Sequence, residues 1–467
     1  MNMRHKIGYF VIVIGAVMLG FGVSAVHAET ITSPSYKING NLGGSFGGQT
    51  NSTNYKMTSI GGEAIVGSGS SSSYIIDQQQ TSAAAQTMEI SVQPSGLVGY
   101  YPMDENAGTT TNDASRYENN GAFNSTASWY ASGKLGSAVD MNGAADPSDT
   151  GAVLVPDHSN LPSGNAMTIE AWVRQSSWVS NQAIATHWDY NGAPEERSGS
   201  WALQTGADQN LRVFIADGQG DAGNNYVDTD FNTWASFNVW RHVVMVYDGT
   251  QSQANMVKVY IDGNLVGSSV VGTLPSTLQN SDGALSIGSF PGLGRSLRGA
   301  VDHVKLFNRA LTAAEITAEY QAQNAGAAAG LTLGTLTTSS TTSLVDAVVR
   351  TNALDYTLAT QQDHNLQSGS DFIPAVSGSI AAPATWSEGV TKGLGFTLLG
   401  APTLDSKWGT GAKYAAVPSS STTFYTGTGN VNGVVDVVNM RFRLDIAASQ
   451  PMGAYSNTIT YTGTVTP

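Results

Sequence analysis

The sequence contains no cysteine, which excludes disulfide cross-links, thiolate metal sites and cysteine nucleophiles. Charge is scarce too. Only 12% of residues are charged, with 21 Lys and Arg against 35 Asp and Glu, for a formal net charge of −14. An acidic chain without a basic stripe argues against nucleic acid and anionic membrane surfaces as partners. The seven histidines are scattered and form no HExxH string, so a helical zinc-protease site is missing. What is abundant is Gly (53 residues), together with Ser and Thr. That composition favours short strands and turns over long helices. At 467 residues the chain can hold two or three domains, each with its own core.

Residues 240–320 carry the clearest pattern. Trp240 to Asp248 alternates, with His242, Val244 and Val246 opposing Val243, Met245 and Tyr247. Val257 to Ile261 runs into Asp262-Gly263, the dipeptide that suits the positive φ angles of a two-residue hairpin, and Leu265 to Val271 reads as its return strand. Leu285 to Gly288 follows. In Gly299 to Phe307, Val301, His303, Lys305 and Phe307 are expected to oppose Asp302, Val304 and Leu306. Thr312-Ala-Ala-Glu315 is a capping box opening a short helix to Tyr320.

The order WRHVVMVYDG, VYIDGNLV, LSIGS and GAVDHVKLFNRALTAAEI resembles the laminin-G-like, concanavalin A-type jelly-roll module of bacterial secreted proteins. The resemblance extends upstream to LVGYYPMDENAGTTTNDASRYENNG and MTIEAWVR, and it covers residues 96–322. It implies an antiparallel β-sandwich. It also implies a structural calcium ion held by Asp113, Asn119 and Gly121 of a DxSGNxNxG-like loop with Asp302 of the closing strand. Arg116 and Tyr117 depart from that loop pattern, and an Arg116–Asp302 salt bridge is the alternative to the ion.

Around this module the chain divides further. Arg4 and Lys6 precede an uncharged run over 7–26, and Val26-His27-Ala28 offers a small-residue cleavage end. Residues 1–28 therefore read as an export signal or an uncleaved anchor, placing 29–467 at the cell surface or outside the cell. Residues 29–78 hold a repeat whose tyrosines, Tyr36, Tyr55 and Tyr74, are evenly spaced. It is either a stacked β-ribbon or a flexible stalk. Residues 79–95 read as a linker and 323–330 as a second one. Residues 331–467 read as a smaller β-sandwich-like domain, in which Met440, Phe442, Leu444 and Ile446 should form a hairpin with Ile459, Tyr461 and Val465. The expected fold is all-β throughout.

Catalytic strings fail on context. Gly43-Gly-Ser45-Phe-Gly47 lies in the repeat, without the strand and helix of a nucleophile elbow. Gly218-Gln-Gly220-Asp-Ala-Gly223 is followed by no helix that could bind phosphate. The ExDxxE string of laminarinase-type enzymes is absent, and the adjacent Glu195 and Glu196 would face opposite ways on a strand. No enzymatic activity is expected. Two Gly-bounded loops instead combine aromatic with polar side chains: Trp188, Asp189 and Tyr190, and Asp221, Asn224, Asn225 and Tyr226. Aromatic plates beneath apolar ring faces, with amides and carboxylates at hydroxyls, are what sugar recognition needs. The alternative is that Trp188 and Tyr190 plug the sandwich edge while the polar residues solvate turns. The reading is an exported surface protein whose module binds a carbohydrate or another surface component. The alternatives are a structural envelope or appendage subunit and, third, a glycoside hydrolase.

Overall fold

The computed structural model describes residues 88–124, 126–141, 151–189, 199–216, 225–234, 236–290, 293, 295–324, 333, 340–351, 353–428 and 435–466. It also describes five short strands among residues 10–75. The protein is built almost wholly of antiparallel strands. Two of the short pairs clarify the repeat. Gly48–Ser52 pairs with Tyr55–Ser59, and Ser70–Ser71 pairs with Tyr74–Ile75. In each, the Ser and the Tyr of the Ser-x-x-Tyr signature stand opposite each other. Tyr36, in the first repeat, lies outside the described residues.

The middle sandwich stacks two sheets. The eight-stranded one runs Ser128–Tyr130, Ala138–Asp140, Gly299–Phe307, Ala166–Gln175, Trp240–Asp248, Val257–Ile261 and Asn264–Leu265, with Leu97–Tyr101 also on Gly299–Phe307. The nine-stranded one runs Ser268–Val271, Tyr226–Thr229, Leu211–Ile215, Gly199–Thr205, Ala183–Trp188, Leu285–Ile287, Ala152–Val155, Gly121–Asn124 and Thr110–Thr111. Between them lies one core in which Ile169, Val173, Val243, Met245, Trp201, Leu203, Val213 and Ile287 are fully buried. Each such side chain contributes roughly 1.5–3 kcal/mol of hydrophobic burial.

Asp262 and Gly263 both take positive φ (51° and 76°), so the Asp-Gly hairpin is formed as read. Its return strand, however, breaks in two. Asn264–Leu265 stays in the eight-stranded sheet while Ser268–Val271 crosses to the nine-stranded one, turning a sheet corner. The alternation expected in Gly299–Phe307 also fails. His303 adopts φ 49°, and the pairing with Ala166–Gln175 shifts register between Glu170 and Trp172. This bulge brings Val301 into the same core as Val304 and Leu306. The capping box forms reciprocally: the Thr312 amide donates to Glu315 Oε2 (2.8 Å) and the Glu315 amide to Thr312 Oγ1 (3.3 Å). The helix runs from Ala313 to Asn324, past the expected end.

The second sandwich also departs from the linear plan. Its four-stranded sheet orders Gly393–Gly400, Asp436–Asp445, Thr341–Thr351 and Met88–Pro94. Met88–Pro94, read as linker from its Gln and Ser content, is an edge strand antiparallel to Thr341–Thr351, with Ile90 opposite Val349 and Val92 opposite Ala347. The middle sandwich is thus inserted between two neighbouring strands of the second. The entry is a two-residue turn, Ser95-Gly96, tied to both bodies. The Ser95 amide donates to Leu344 O (3.1 Å), the Asn308 amide to Gly96 O (2.9 Å), and Arg309 Nε to Ser95 O (2.7 Å). The expected C-terminal hairpin does not form. Asp436–Asp445 and Tyr455–Thr466 lie in opposite sheets, and Met440, Phe442 and Leu444 meet Ile459 and Tyr461 across the core instead. An alternating pattern shows which side chains point inward, but it does not show which strand hydrogen-bonds to which.

Candidate functional site

The two aromatic loops read from the sequence are connections between strands of one sheet, the nine-stranded one. One connects Ala183–Trp188 to Gly199–Thr205 and the other connects Leu211–Ile215 to Tyr226–Thr229, so both leave the same end of the nine-stranded sheet. Tyr190, Asp221, Asn224, Glu195 and Glu196 lie outside the described residues, as do Gly43 to Gly47 and Gly218 to Gly223. Thr186, Ala202, Phe214 and Tyr226 form one row across the outer face of the sheet, each opposite the next.

Trp188 is 1% exposed. Its ring packs over Gly199, where an added Cβ would lie 2.3 Å from the indole, and beneath Phe290 (centroids 5.9 Å apart). It is a packed plug on this face and not an open plate. Tyr226 differs. It is half-buried, tilted against Phe214 at 5.5 Å, with the Arg212 guanidinium 4.1 Å above its ring. Arg212 is fixed by Asp228 on the neighbouring strand, Nε to Oδ1 at 2.7 Å and Nη2 to Oδ2 at 2.6 Å. The carboxylate raises the arginine pKa. Asn225 Oδ1 accepts from the Thr273 amide (3.0 Å), and half-buried Asp189 follows Trp188 at the sheet end. On the same face Thr186 Oγ1, Ser200 Oγ, Gln204 Oε1 and Trp188 Nε1 are buried without a hydrogen-bond partner. Sequence reasoning missed Phe214, Arg212 and Asp228. Their signal was present in the alternation of Leu-Arg-Val-Phe-Ile over 211–215, whose second and fourth residues point outward.

The residues expected to hold calcium divide into two groups. Asp113 organises its own loop: Oδ1 accepts from the Tyr100 and Ser115 amides (both 2.8 Å), and Oδ2 from Ser115 Oγ (2.8 Å) and the Asn119 amide (2.9 Å). Asp302 instead accepts from the Lys134 and Leu135 amides (2.7 and 3.0 Å) and faces His303 Nδ1 at 3.1 Å; burial raises its pKa. Among the described residues no group of three His, Asp or Glu side chains is placed to hold a metal ion. Nor does Arg116 bridge to Asp302. It lies 3.7 Å from Asp346 of the second sandwich, while Arg350 reaches Glu118 at 3.1 Å and also bonds the Arg116 carbonyl. The Asp113 loop therefore joins the two sandwiches.

A further charged cluster lies between the eight-stranded sheet and the helix. Lys305 Nζ contacts Glu170 Oε1 (3.1 Å) and Glu319 Oε2 (2.7 Å), and Gln323 bonds Glu319 (3.0 Å) and the Trp172 indole. Burial opposes the charge on Lys305, but Glu170 and Glu319 outweigh it and raise the pKa. His242, fully buried beside them, is pushed down to about 3 by burial and then by Lys305. Glu170 Oε2 stands 3.9 Å from His242 Nε2, too far for a hydrogen bond to restore the proton. These groups pin the helix to the sheet. Charged residues inside largely apolar strands (Glu170, Lys305) were their trace in the sequence.

Two stacked antiparallel sheets of eight and nine strands make the middle module a concanavalin A-like lectin/glucanase fold. The model of one family, Laminin_G_3 of the concanavalin A-like lectin/glucanases superfamily, matches residues 147–317. No curated protein matches the chain. Similar solved structures include domain 4 of a GH43 extracellular arabinanase from Geobacillus stearothermophilus in complex with arabinotriose, at 19% identity and TM-score 0.35, covering 48% of this chain and 98% of that one. The binding domain of Paraclostridial Mosquitocidal Protein 1 is similar at 14% identity and TM-score 0.37, covering 69% and 73%. Trypanosoma rangeli sialidase in complex with sialic acid is similar at 17% identity and TM-score 0.35, covering 50% of this chain and 33% of the sialidase. Two of these belong to glycoside hydrolases, which corrects the expectation of no enzymatic activity. A missing ExDxxE string excludes one catalytic arrangement and not catalysis as such.

Proposed function

We propose that the protein is an exported surface protein whose laminin-G-like module binds a neutral glycan on the outer face of the nine-stranded sheet. The observation that carries this reading is the half-exposed Phe214–Tyr226 pair with Arg212 locked to Asp228 on the same face. Arg212 spends Nε and Nη2 on Asp228, which leaves the N–H groups of Nη1 as donors to hydroxyls. Because Asp228 neutralises the guanidinium, the ledge favours uncharged sugars over acidic ones. The tyrosine and phenylalanine supply apolar surface for a sugar ring at small entropic cost. A family named for lectins and glucanases fits the same ligand class. Export is supported by Arg4 and Lys6 ahead of the uncharged 7–26 run.

The test is affinity electrophoresis of the full chain through gels carrying neutral polysaccharides. Tyr226→Ala and Arg212→Ala should each abolish retardation with little change in melting temperature. Trp188→Ala should lower stability by about 3–5 kcal/mol, because it empties a packed site. If Tyr226→Ala migrates as wild type on every polysaccharide that retards the protein, the ledge is not the site.

A further inference from the structure

The six-stranded sheet of the second sandwich has one edge with unusual properties, and the pairing register locates it. Ser456 is opposite Gln367 and also opposite Val11; Ile459 is opposite Gln362 and Ile14; Thr460 is opposite Gln361 and Gly15. A strand residue has one neighbour on each side. Asp355–Gln362 and Gln367–Ser368 therefore share the inner edge of Tyr455–Thr466, and Phe10–Gly15 lies parallel along the outer edge as far as Thr460. From Tyr461 to Thr466 the inner edge is paired with Asp355–Thr360, and no other strand pairs with the outer edge among the described residues.

An edge of this kind exposes unpaired N–H and C=O groups and is a template for another strand. Proteins guard such edges with charge, proline, bulges or short strands. None of these is present here. The strand is 12 residues long, YSNTITYTGTVT, with no charged residue and no proline. Its pairing with Asp355–Gln362 runs without a register shift. Thr458, Thr460, Thr462 and Thr464 alternate with the inward Ile459 and Tyr461, a β-branched composition that suits further pairing.

We propose that this edge is a strand-pairing surface through which two copies of the chain associate, antiparallel, about a two-fold axis. Charge selects the occupant. Two copies at −14 repel over most of their surfaces, and an uncharged edge is where they can meet without like charges opposed. The seating of Phe10–Gly15 on the same strand shows that an uncharged strand of this chain fits it. Antiparallel pairing of identical edges is self-complementary and closes at a dimer, and cross-strand Thr–Thr contacts are favourable in it. Cleavage after Ala28 would lengthen the open edge to the whole of Tyr455–Thr466. A contact made by strand edges alone is smaller than a standard protein interface, so the dimer is weak and concentration-dependent. The inference is independent of glycan binding, which uses the other sandwich.

Sedimentation equilibrium of the purified full chain tests it. The wild-type weight-average mass should rise from the monomer value towards twice that value between micromolar and submillimolar concentration. Thr462→Lys with Thr464→Lys places like charges on the facing edges, at side chains that are half-exposed and exposed and so leave the core intact. That variant should stay monomeric with unchanged circular dichroism and melting temperature. If it melts differently, Thr464→Lys alone is measured in its place and should shift the association to higher concentration. Tyr226→Ala should associate as wild type. A wild type that remains monomeric throughout, or lysine variants that associate equally well, would overturn the proposal; association lost in Tyr226→Ala would also overturn it, by placing the contact on the glycan ledge.

Discussion

Replacing His242 with phenylalanine should make the protein markedly less sensitive to mild acid. The imidazole is fully buried between Trp172 (centroids 5.3 Å) and Tyr320 (6.0 Å), and neither ring nitrogen has a hydrogen-bond partner. A phenyl ring therefore fills the site without losing a hydrogen bond. Burial and Lys305 depress the native pKa to about 3, whereas an exposed histidine in the unfolded chain titrates near about 6.5. Above pH 6.5 both states hold the neutral ring and the residue contributes no pH dependence. As the pH falls below 6.5 the unfolded state takes up a proton that the native state refuses, so stability is lost progressively until the native group titrates near about 3. At about 1.36 kcal/mol per pH unit, the loss between pH 7 and pH 5 is about 2 kcal/mol from this one group. Urea unfolding at the two pH values, followed by tryptophan fluorescence, gives the difference directly. His242→Phe should lose about 2 kcal/mol less than wild type over that interval. Parallel losses in the two proteins would refute the argument, since they would show that His242 is protonated in the native state or sits in water.

Two further outcomes follow from charges on the middle module. Lys305→Met leaves Glu170 and Glu319 without their common cation, and should lower stability by about 3–5 kcal/mol in urea unfolding; an unchanged midpoint would show that the cluster is solvated. Arg350→Ala removes the contacts to Glu118 and the Arg116 carbonyl, which are partly exposed, so its effect on global stability should be no more than about 1 kcal/mol. Hydrogen exchange of the 113–121 amides should nevertheless quicken, and exchange identical to wild type would show that the loop is held by Asp113 alone.

The sequence by itself determined what depends on local chemistry. Alternation in Trp240–Asp248 established a strand whose side chains divide between two faces, Asp262-Gly263 a hairpin with two positive φ angles, and Thr312 with Glu315 a helix start. Each is a property of a few consecutive residues, and each survives in the structure. The family resemblance was legible for the same reason, as an ordered series of such local signatures.

Only the tertiary structure decided which strands pair and which polar groups meet. Met88–Pro94 has the composition of a linker, and it is a strand because Thr341–Thr351, some 250 residues on, supplies its hydrogen-bond partners. Met440 and Ile459 lie in opposite sheets because an inward-pointing pattern is equally compatible with a hairpin and with two facing layers. Trp188 and Tyr226 looked alike in their loops; Gly199 and Phe290 close over one, while Phe214 and Arg212 hold the other at the surface. Arg116 lay near Asp302 only in expectation, and its partner Asp346 belongs to the other sandwich. Local backbone preference and side-chain polarity act over a few residues, whereas pairing and burial depend on contacts between residues far apart in sequence, which one strand's pattern does not encode.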